Sequence, residues 1–464
     1  MTKKSILGAV GTAIVAALVC APAAHADAQS RGEPRSERHS RDPFSGESLY
    51  GDVVFYSALG EHRTATATDY ATESWLAIRL KALGFSVELL PFSTNQFYPT
   101  ETSVTIDRKA RIQAFPVWWP TPTPRGGLTG KLTTDLTSVA GKIYLFDNGS
   151  GTVNKAVQTT IKTAAANGAT GVIVVLTQAA TPSEEIFGQN AQQLTSYDPS
   201  ADPGAGDQTP WTIPVVTVGR HDRPALQNAI DGSLDVKLRS EGFTKTGAIS
   251  NVVTGTLDRG PADRTLLVST PSSGWFEDAG ERGTGIAVWL ALAEWAAKET
   301  SGVRWVFMSS SGHELNFRGT NEYLRSARIP RPEDVYLWTH LGADLITYDF
   351  TQNPDGTLSR TDKPVSQYIK YSTTNPAVLD ALNGSFLPAN PQAQALNILG
   401  LQNSIAGGDL FYAKYHGYPE LLYFAGGNPT FHTRQDTPET SGPELLEPMA
   451  RLIKATLQKV VSGL

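Results

Sequence analysis

A His-Glu pair, His313-Glu314, follows an apolar run that ends in Ser-Ser-Ser-Gly. The run, residues 304–308, is β-branched and aromatic and predicts a buried strand that ends in a turn. A helical zinc motif requires a second histidine four residues after the first, so that both imidazoles lie on one helix face. Position 317 is Phe317, which excludes that motif. The pair is therefore predicted to lie at the C-terminal end of a central strand.

Further residues that can bind a metal or transfer protons lie in the same part of the chain. Four of the eight histidines lie there: His313, His340, His416 and His432. Three of the four end or follow strand-like runs. The acidic candidates are Glu281, Glu314 and Asp436. Strand ends bring distant side chains together, as a metal site requires. The alternative is that these histidines are structural and hydrogen-bonded, which is the commoner role of a lone histidine near a strand end.

Three neighbouring features allow other interpretations of this region. A serine nucleophile at Ser272 or Ser273 is disfavoured, because the Gly-x-Ser-x-Gly elbow is absent. Arg282 is adjacent to Glu281 and could neutralise it, and a carboxylate held by arginine needs no metal. Trp275-Phe276 either lines a substrate pocket or packs in the core. The segment around His416 is predicted to be an ordinary surface or hinge segment.

Helices and strands alternate along most of the chain. Helical spacing and strand-like runs predict helices over 65–83, 285–298 and 443–461, and strands over 85–90, 265–269, 304–308, 336–340 and 421–424. This alternation predicts a three-layer α/β/α domain with a central mixed sheet. Sites in such folds lie at the C-terminal ends of the strands.

A separate block lies between residues 126 and 240, after a Pro-rich linker at 118–127. It contains strands at 141–146, 172–175 and 213–218, a helix at 153–166 and a Pro/Gly/Asp-rich loop at 197–210. This block resembles the protease-associated domain, a small α/β domain inserted in secreted proteases. The matching segments are 141–143, 167–173 and 213–216. Another small α/β insert is the alternative.

The N-terminal residues predict export. Lys3 and Lys4, an apolar run over 6–19 and Ala24-His25-Ala26 form a secretory signal peptide, residues 1–26. A lipoprotein anchor at Cys20 is disfavoured by the large Val19 before it. Residues 27–48 are charged and Ser-rich and predict a flexible leader.

The cysteine content and the net charge indicate how the protein is stabilised and which partners are excluded. Cys20 is the only cysteine, so the exported protein folds without disulfides and depends on core burial. The net charge of the whole chain is −6, and loss of Lys3 and Lys4 leaves 37 basic against 45 acidic side chains, a charge of −8. This acidity argues against nucleic acid or an anionic membrane as a partner. No other segment is apolar enough to span a bilayer, and the oligomeric state is left open.

Taken together, these landmarks resemble the co-catalytic zinc aminopeptidase family, which includes secreted carboxypeptidases and single-zinc glutaminyl cyclases. The order agrees over nearly the whole mature chain, from Asn251-Val252-Val253 through the Gly-rich helix start at 279–285 to His432-Thr433-Arg434-Gln435-Asp436-Thr437. The resemblance implies a discontinuous peptidase-like domain, residues 49–125 and 241–464, interrupted by the protease-associated insert at 126–240.

The resemblance also implies a reduced metal site. The family's first strand ends in His-x-Asp, whereas this chain has Thr270-Pro271-Ser272. The ligands of one zinc correspond to Glu281, Glu314 and His432, and three protein ligands are enough for a catalytic zinc. His340 replaces an aspartate ligand of the other zinc, and either it or His313 could complete the shell. His313 stands where the family has its general base, a role that imidazole can fill near neutral pH.

Two functions follow as hypotheses. One is a secreted zinc-dependent hydrolase of peptide or amide bonds, of aminopeptidase type, with a single zinc ion and His313 as proton acceptor. The other is a metal-free pseudoenzyme that keeps the fold to bind peptides or surface polymers. Convergence of Glu281, Glu314 and His432 on one point favours the first, and a bidentate Arg282–Glu281 pair filling that point favours the second.

Overall fold

The computed structural model describes residues 42–117, 119–148, 155–176, 211–342, 344–353, 358–401 and 407–464. The predicted signal peptide, Cys20 and the leader up to residue 41 lie outside the described residues, as do Trp118 in the linker and the loop at 197–210. In the described part of the chain, no helix has the length and apolar character needed to cross a membrane.

A large mixed sheet forms the centre of the molecule. Its strands are β1 (Ser86–Ile106), β2 (Ala110–Gln113), β4 (Leu128–Gly130), β9 (Val236–Asp258), β10 (Thr265–Pro271), β11 (Arg304–Ser310), β12 (Val335–Leu341), β15 (Tyr368–Ser372), β16 (Gln394–Asn397) and β17 (Leu421–Ala425). The order across the sheet is β16-β15-β17-β12-β10-β11-β9-β1-β2, with β4 paired to β9. The four central strands β17, β12, β10 and β11 are parallel to one another, so their C-terminal ends share one edge.

Helices cover both faces of this sheet. They are α1 (Gly46–Ala58), α2 (Ala67–Ala82), α5 (Thr284–Glu299), α6 (Arg318–Arg325), α7 (Pro376–Ala381), α8 (Leu387–Ala389), α9 (Leu410–Tyr415) and α10 (Pro443–Ser462). Successive residues of β10 point to opposite faces, because side chains alternate along a strand. Leu266 packs in the core formed with α1, α2, α5 and α10, whereas Leu267 packs in the core formed with α6 and α9. The three-layer α/β/α prediction is confirmed.

A second, smaller sheet forms the inserted block. Its strands are β3 (Phe115–Pro116), β5 (Leu132–Thr133), β6 (Ile143–Asn148), β7 (Gly171–Leu176) and β8 (Val215–Gly219), and its helices are α3 (Lys155–Ala166) and α4 (Arg223–Asp231). The order is β3-β8-β7-β6-β5, parallel except for the β3-β8 pair. The alternation of strand and helix predicted for this block is present where the structure describes it.

Two features of the large domain differ from the sequence prediction or were not foreseen. Helix α1 begins inside the segment predicted as leader, because Ser45 caps it by accepting from the Ser48 amide and Phe44 before it is buried. A hairpin of β13 (Tyr348–Gln352) and β14 (Leu358–Pro364) forms a separate two-stranded sheet.

Candidate metal centre

The C-terminal ends of the parallel strands carry the predicted site residues. The loop after β10 leads into a π-helical turn, Ala279–Gly283, that contains Glu281 and runs directly into α5. The loop after β11 carries His313 and Glu314, and the segment after β17 carries His432. Because these strands run in one direction, the three loops meet at one edge of the sheet.

Asp436 fixes the turn that presents Glu281. Its two carboxylate oxygens accept hydrogen bonds from the backbone amides of Gly280 at 2.8 Å and Glu281 at 2.9 Å. A Cβ on residue 280 would lie 2.6 Å from Asp436 Oδ1, so only glycine permits this approach. Asp436 therefore positions a candidate ligand through its backbone.

Glu281, Glu314 and His432 converge on one point. Each offers a ligand atom within 4.8 Å of the other two, and all three residues are buried. His432 Nε2 lies 3.1 Å from Glu281 Oε1 and 3.4 Å from Glu314 Oε2. His432 adopts a left-handed backbone conformation, φ 56°, and its ring stacks on Phe431. The turn thus directs the imidazole towards the two carboxylates.

This donor set fits zinc. Ligand atoms about 2.0–2.1 Å from a tetrahedral zinc lie about 3.4 Å apart, close to the separations of His432 Nε2 from the two carboxylates. In the described part of the chain, Glu281 Oε2 receives no hydrogen bond, while Glu281 Oε1 lies beside His432 Nε2 and Arg282 Nη2. Buried carboxylates are normally hydrogen-bonded or bound to a cation, so this arrangement suits a metal ion.

Arg282 also contacts both carboxylates. Its Nη2 lies 2.7 Å from Glu281 Oε1 and contacts Glu314 Oε1, while its Nε donates to the Ser273 carbonyl at 2.8 Å. One guanidinium nitrogen meets one oxygen of each glutamate, so the pairing is not the bidentate fork that would occupy both oxygens. Arg282 thus contacts Oε1 of both glutamates, whereas the oxygens that face His432 Nε2 are Glu281 Oε1 and Glu314 Oε2.

The electrostatics of the site reflect an excess of buried acids. Burial lowers the pKa of an imidazole, but Glu281 and Glu314 outweigh this effect and raise the pKa of His432 well above its ordinary value. Burial, and next the negative charge of Glu281, raise the pKa values of Asp278 and Asp344 far above the ordinary range. These acids resist ionising together, and a divalent cation would relieve the repulsion.

His313 is held by a buried aspartate, Asp409, which the sequence analysis does not predict as a site residue. His313 Nδ1 lies 2.7 Å from Asp409 Oδ2, and the Asp409 carboxylate also accepts from the hydroxyls of Ser310 and Thr320. Burial would raise the pKa of Asp409, but the His313 imidazole outweighs it and holds this pKa below its ordinary range. With Nδ1–H donated to Asp409, His313 Nε2 is the basic nitrogen.

His340 lies on the other side of Asp409. Trp338 Nε1 donates to Ser269 Oγ at 2.7 Å, so the Ser269 hydroxyl proton is free to donate to His340 Nδ1, also at 2.7 Å. The His340 proton is then on Nε2, which lies 3.5 Å from Asp409 Oδ2. Burial lowers the pKa of His340 to about 4, which keeps the ring neutral. Neither ring nitrogen offers a lone pair to a metal in this arrangement, and His340 does not join the group formed by Glu281, Glu314 and His432.

The remaining candidates have structural surroundings. Ser273 Oγ accepts from the backbone amides of Gly312 and His313, and Ser272 is fully buried. Trp275 and Phe276 are buried in an aromatic cluster, which agrees with the core interpretation. His416 ends helix α9, where its backbone amide caps the helix.

Comparison with known proteins identifies the two parts of the fold. The family model of the PA domain matches residues 111–226. The structure of a zinc aminopeptidase from Bacillus subtilis is similar over 90% of this chain and 95% of that chain, with 18% identity and a TM-score of 0.64. The chain has the zinc aminopeptidase fold with an inserted PA domain. The resemblance read from the sequence is confirmed.

Two further solved structures share this architecture. A peptidase M28 precursor from Shewanella amazonensis SB2B is 17% identical, with 91% of this chain and 93% of that chain covered and a TM-score of 0.63. An aminopeptidase from Aneurinibacillus sp. strain AM-1 is 16% identical, with coverages of 90% and 94% and a TM-score of 0.61. Among curated protein sequences, none matches this chain.

Proposed function

We propose that the protein is a secreted metal-dependent hydrolase of peptide or amide bonds, of aminopeptidase type, that binds one zinc ion through Glu281, Glu314 and His432. The observation that carries this proposal is the convergence of the three side chains at separations that suit tetrahedral zinc. Bound there, zinc would polarise the substrate carbonyl and lower the pKa of water. The zinc aminopeptidase fold supports this choice of chemistry.

His313 is the proton acceptor in this proposal. Its side chain is 13% exposed, against 8% for Glu314 and none for Glu281, so it lies at the open side of the site. Asp409 holds Nδ1–H and thereby leaves Nε2 unprotonated to accept a proton from water. Asp409 is a positioning residue, since it acts through the imidazole.

Arg282 explains why one ion is proposed and not two. Its guanidinium is a fixed positive charge in contact with both glutamates, so it partly neutralises the acids that a second cation would need. Thr270 and Ser272, where the family has a zinc-binding His-x-Asp, are fully buried, and the Thr270 hydroxyl donates to the Leu341 carbonyl. These positions supply no second set of ligands.

A metal-free binding protein is the second candidate, and the Arg282 contacts favour it. Arg282 and a protonated His432 would balance the charges of Glu281 and Glu314 without a metal ion. In that case the protein would bind peptides or surface polymers without hydrolysing them.

The test is hydrolysis of amide substrates by the purified protein. A panel of aminoacyl nitroanilides and short peptides with free amino termini would be assayed with zinc, and again after removal of zinc with a chelator. We expect turnover that the chelator abolishes, that zinc restores, and that Glu314→Gln removes. The control is Glu47→Gln, an exposed acid on α1, which should retain full activity. Peptide binding without turnover in the zinc-loaded protein would favour the binding protein.

A further inference from the structure

An aromatic cluster joins the PA domain to the loops of the metal centre. Its buried members are Phe97, Phe115, Trp119, Trp275, Phe276 and Leu315. Phe115 and Trp119 belong to the PA domain, as matched over 111–226, and Phe97 lies on β1. Trp275 and Phe276 lie in the loop between β10 and Glu281, and Leu315 directly follows Glu314. The cluster therefore contacts the two loops that carry the glutamates.

A ribbon of two strands also connects the domains. Strands β1 and β9 pair antiparallel from Ser86 to Ile106, and the pairing shifts register at Thr94/Gln96 and Pro99/Glu101. Register shifts of this kind bend a strand and interrupt its ladder. A two-stranded ribbon with such irregularities does not by itself fix a domain rigidly. The aromatic cluster supplies a further point of attachment.

The contacts lead from Phe115 towards Glu281. The Phe115 ring meets the Trp275 and Phe276 rings edge-on, with centroids 6.0 Å and 5.4 Å apart. The Phe276 amide donates to Asp278 Oδ2 at 3.1 Å, and its carbonyl accepts from the His62 amide at 2.9 Å. Asp278 in turn begins the π-helical turn that holds Glu281, and its carbonyl accepts from the Arg282 amide.

We propose that the PA domain is part of the scaffold of the metal centre, with Phe115 as the residue that positions the Glu281 and Glu314 loops by packing on Trp275 and Phe276. Edge-on aromatic contacts are directional, so they fix the loop as well as burying it. Metal ligands need supporting groups to hold their geometry. Only the zinc and cobalt measurements of this proposal rest on the proposed function. How rigidly the two loops are held can be measured by hydrogen exchange without a metal.

The test compares Phe115→Ala with a matched change inside the PA domain. Leu145→Ala is the control, because Leu145 is fully buried in the PA core and lies outside the aromatic cluster. Hydrogen exchange over residues 272–283 and 312–317 would be measured on the metal-free proteins. Zinc affinity and the visible spectrum of the cobalt-substituted proteins would be measured as well. Phe115→Leu, which keeps an apolar side chain, is included in case Phe115→Ala fails to fold.

We expect Phe115→Ala to speed exchange in both loops at least tenfold, to weaken zinc binding at least tenfold and to change the cobalt spectrum. Phe115→Leu should show the same changes to a smaller degree, and Leu145→Ala should show none of them. Equal effects of Phe115→Ala and Leu145→Ala on the two loops, or no effect of either, would overturn the proposal. If the wild type binds no zinc, the proposed function fails. The exchange measurement then still decides whether Phe115 positions the two loops.

Discussion

Arg282 Nη2 lies 2.7 Å from Glu281 Oε1, inside the group of residues that is proposed to bind zinc. The same nitrogen contacts Glu314, so one cationic side chain is shared by two candidate ligands. Arg282 is fully buried. Burial lowers the pKa of a guanidinium, but the charges of the surrounding carboxylates outweigh this effect and raise the pKa above its ordinary value, so Arg282 stays charged. A metal ion at this site must therefore bind beside a permanent positive charge.

Removing that charge should strengthen metal binding. We expect Arg282→Gln to bind zinc at least tenfold more tightly, because the repulsion between guanidinium and cation is lost. Without metal the variant should lose about 3–5 kcal/mol of stability, since two buried carboxylates lose their partner. Calorimetric zinc titration and thermal unfolding with and without zinc would measure both effects.

The control for this change is Arg451→Gln. Arg451 pairs with Asp42 at the surface, with 46% of its side chain exposed. Its loss should change stability by less than about 1 kcal/mol and leave zinc binding alone. Unchanged zinc affinity in Arg282→Gln would mean that Arg282 does not face the bound ion.

Replacing Asp409 should impair proton transfer and spare the metal. The asparagine amide of Asp409→Asn can donate to His313 Nδ1, which would place the imidazole proton on Nε2 and remove the base. We expect kcat to fall about 100- to 10,000-fold, with KM and zinc content unchanged. The exposed Asp380→Asn is the control. Loss of zinc together with activity would show that Asp409 supports the metal site.

Replacing His340 would show whether it is a metal ligand. If its nitrogens are engaged by Ser269 and directed at Asp409, His340→Gln should retain one zinc per chain while losing about 1–3 kcal/mol of stability through the broken buried hydrogen bonds. Elemental analysis and denaturant unfolding would measure these quantities. Loss of the zinc in this variant would place His340 among the ligands.

His62 should make stability depend on pH. This buried ring stacks on Tyr56, and burial lowers its pKa to about 3 from an ordinary value near 6.5. Below pH 6.5 the unfolded chain binds a proton at His62 that the folded chain does not, so the contribution of His62 to stability falls as the pH decreases from about 6.5 to 3. The contribution of His62 to this loss is about 4 kcal/mol by pH 3.

The free energy of unfolding, measured by denaturant titration between pH 7 and pH 4, would test this dependence. Relative to the wild type, His62→Gln should gain stability as the pH decreases through this range, whereas His221→Gln, at an exposed histidine of the PA domain, should follow the wild-type curve. Parallel curves for wild type and His62→Gln would show that His62 does not titrate differently in the folded protein.

The sequence predicts the elements of this fold well where the apolar pattern is strong. The strand expected at 304–308 spans Arg304–Ser310, and the closing helix expected at 443–461 spans Pro443–Ser462. Helix α1 was not predicted, because its two glycines, Gly46 and Gly51, lower helix propensity and its charged neighbours resemble a leader.

The candidate site was predictable only in part. The family resemblance predicts Glu281, Glu314 and His432 as ligands, and the structure brings their side chains together. The sequence does not indicate a role for Asp409, because its partner His313 is 96 residues away in the chain. Its only local sign is Gly407-Gly408-Asp409, a turn before an apolar helix. Such a contact depends on tertiary packing, which spacing along one chain does not encode.

The metal content of the protein purified without chelator tests the proposed zinc site most directly. Elemental analysis would compare the wild type with Glu314→Ala, His432→Ala and His340→Gln. We expect about one zinc per chain in the wild type and in His340→Gln, and none in the other two variants. No zinc in the wild type, even after incubation with zinc, would contradict the metal centre and leave a binding protein on an aminopeptidase fold.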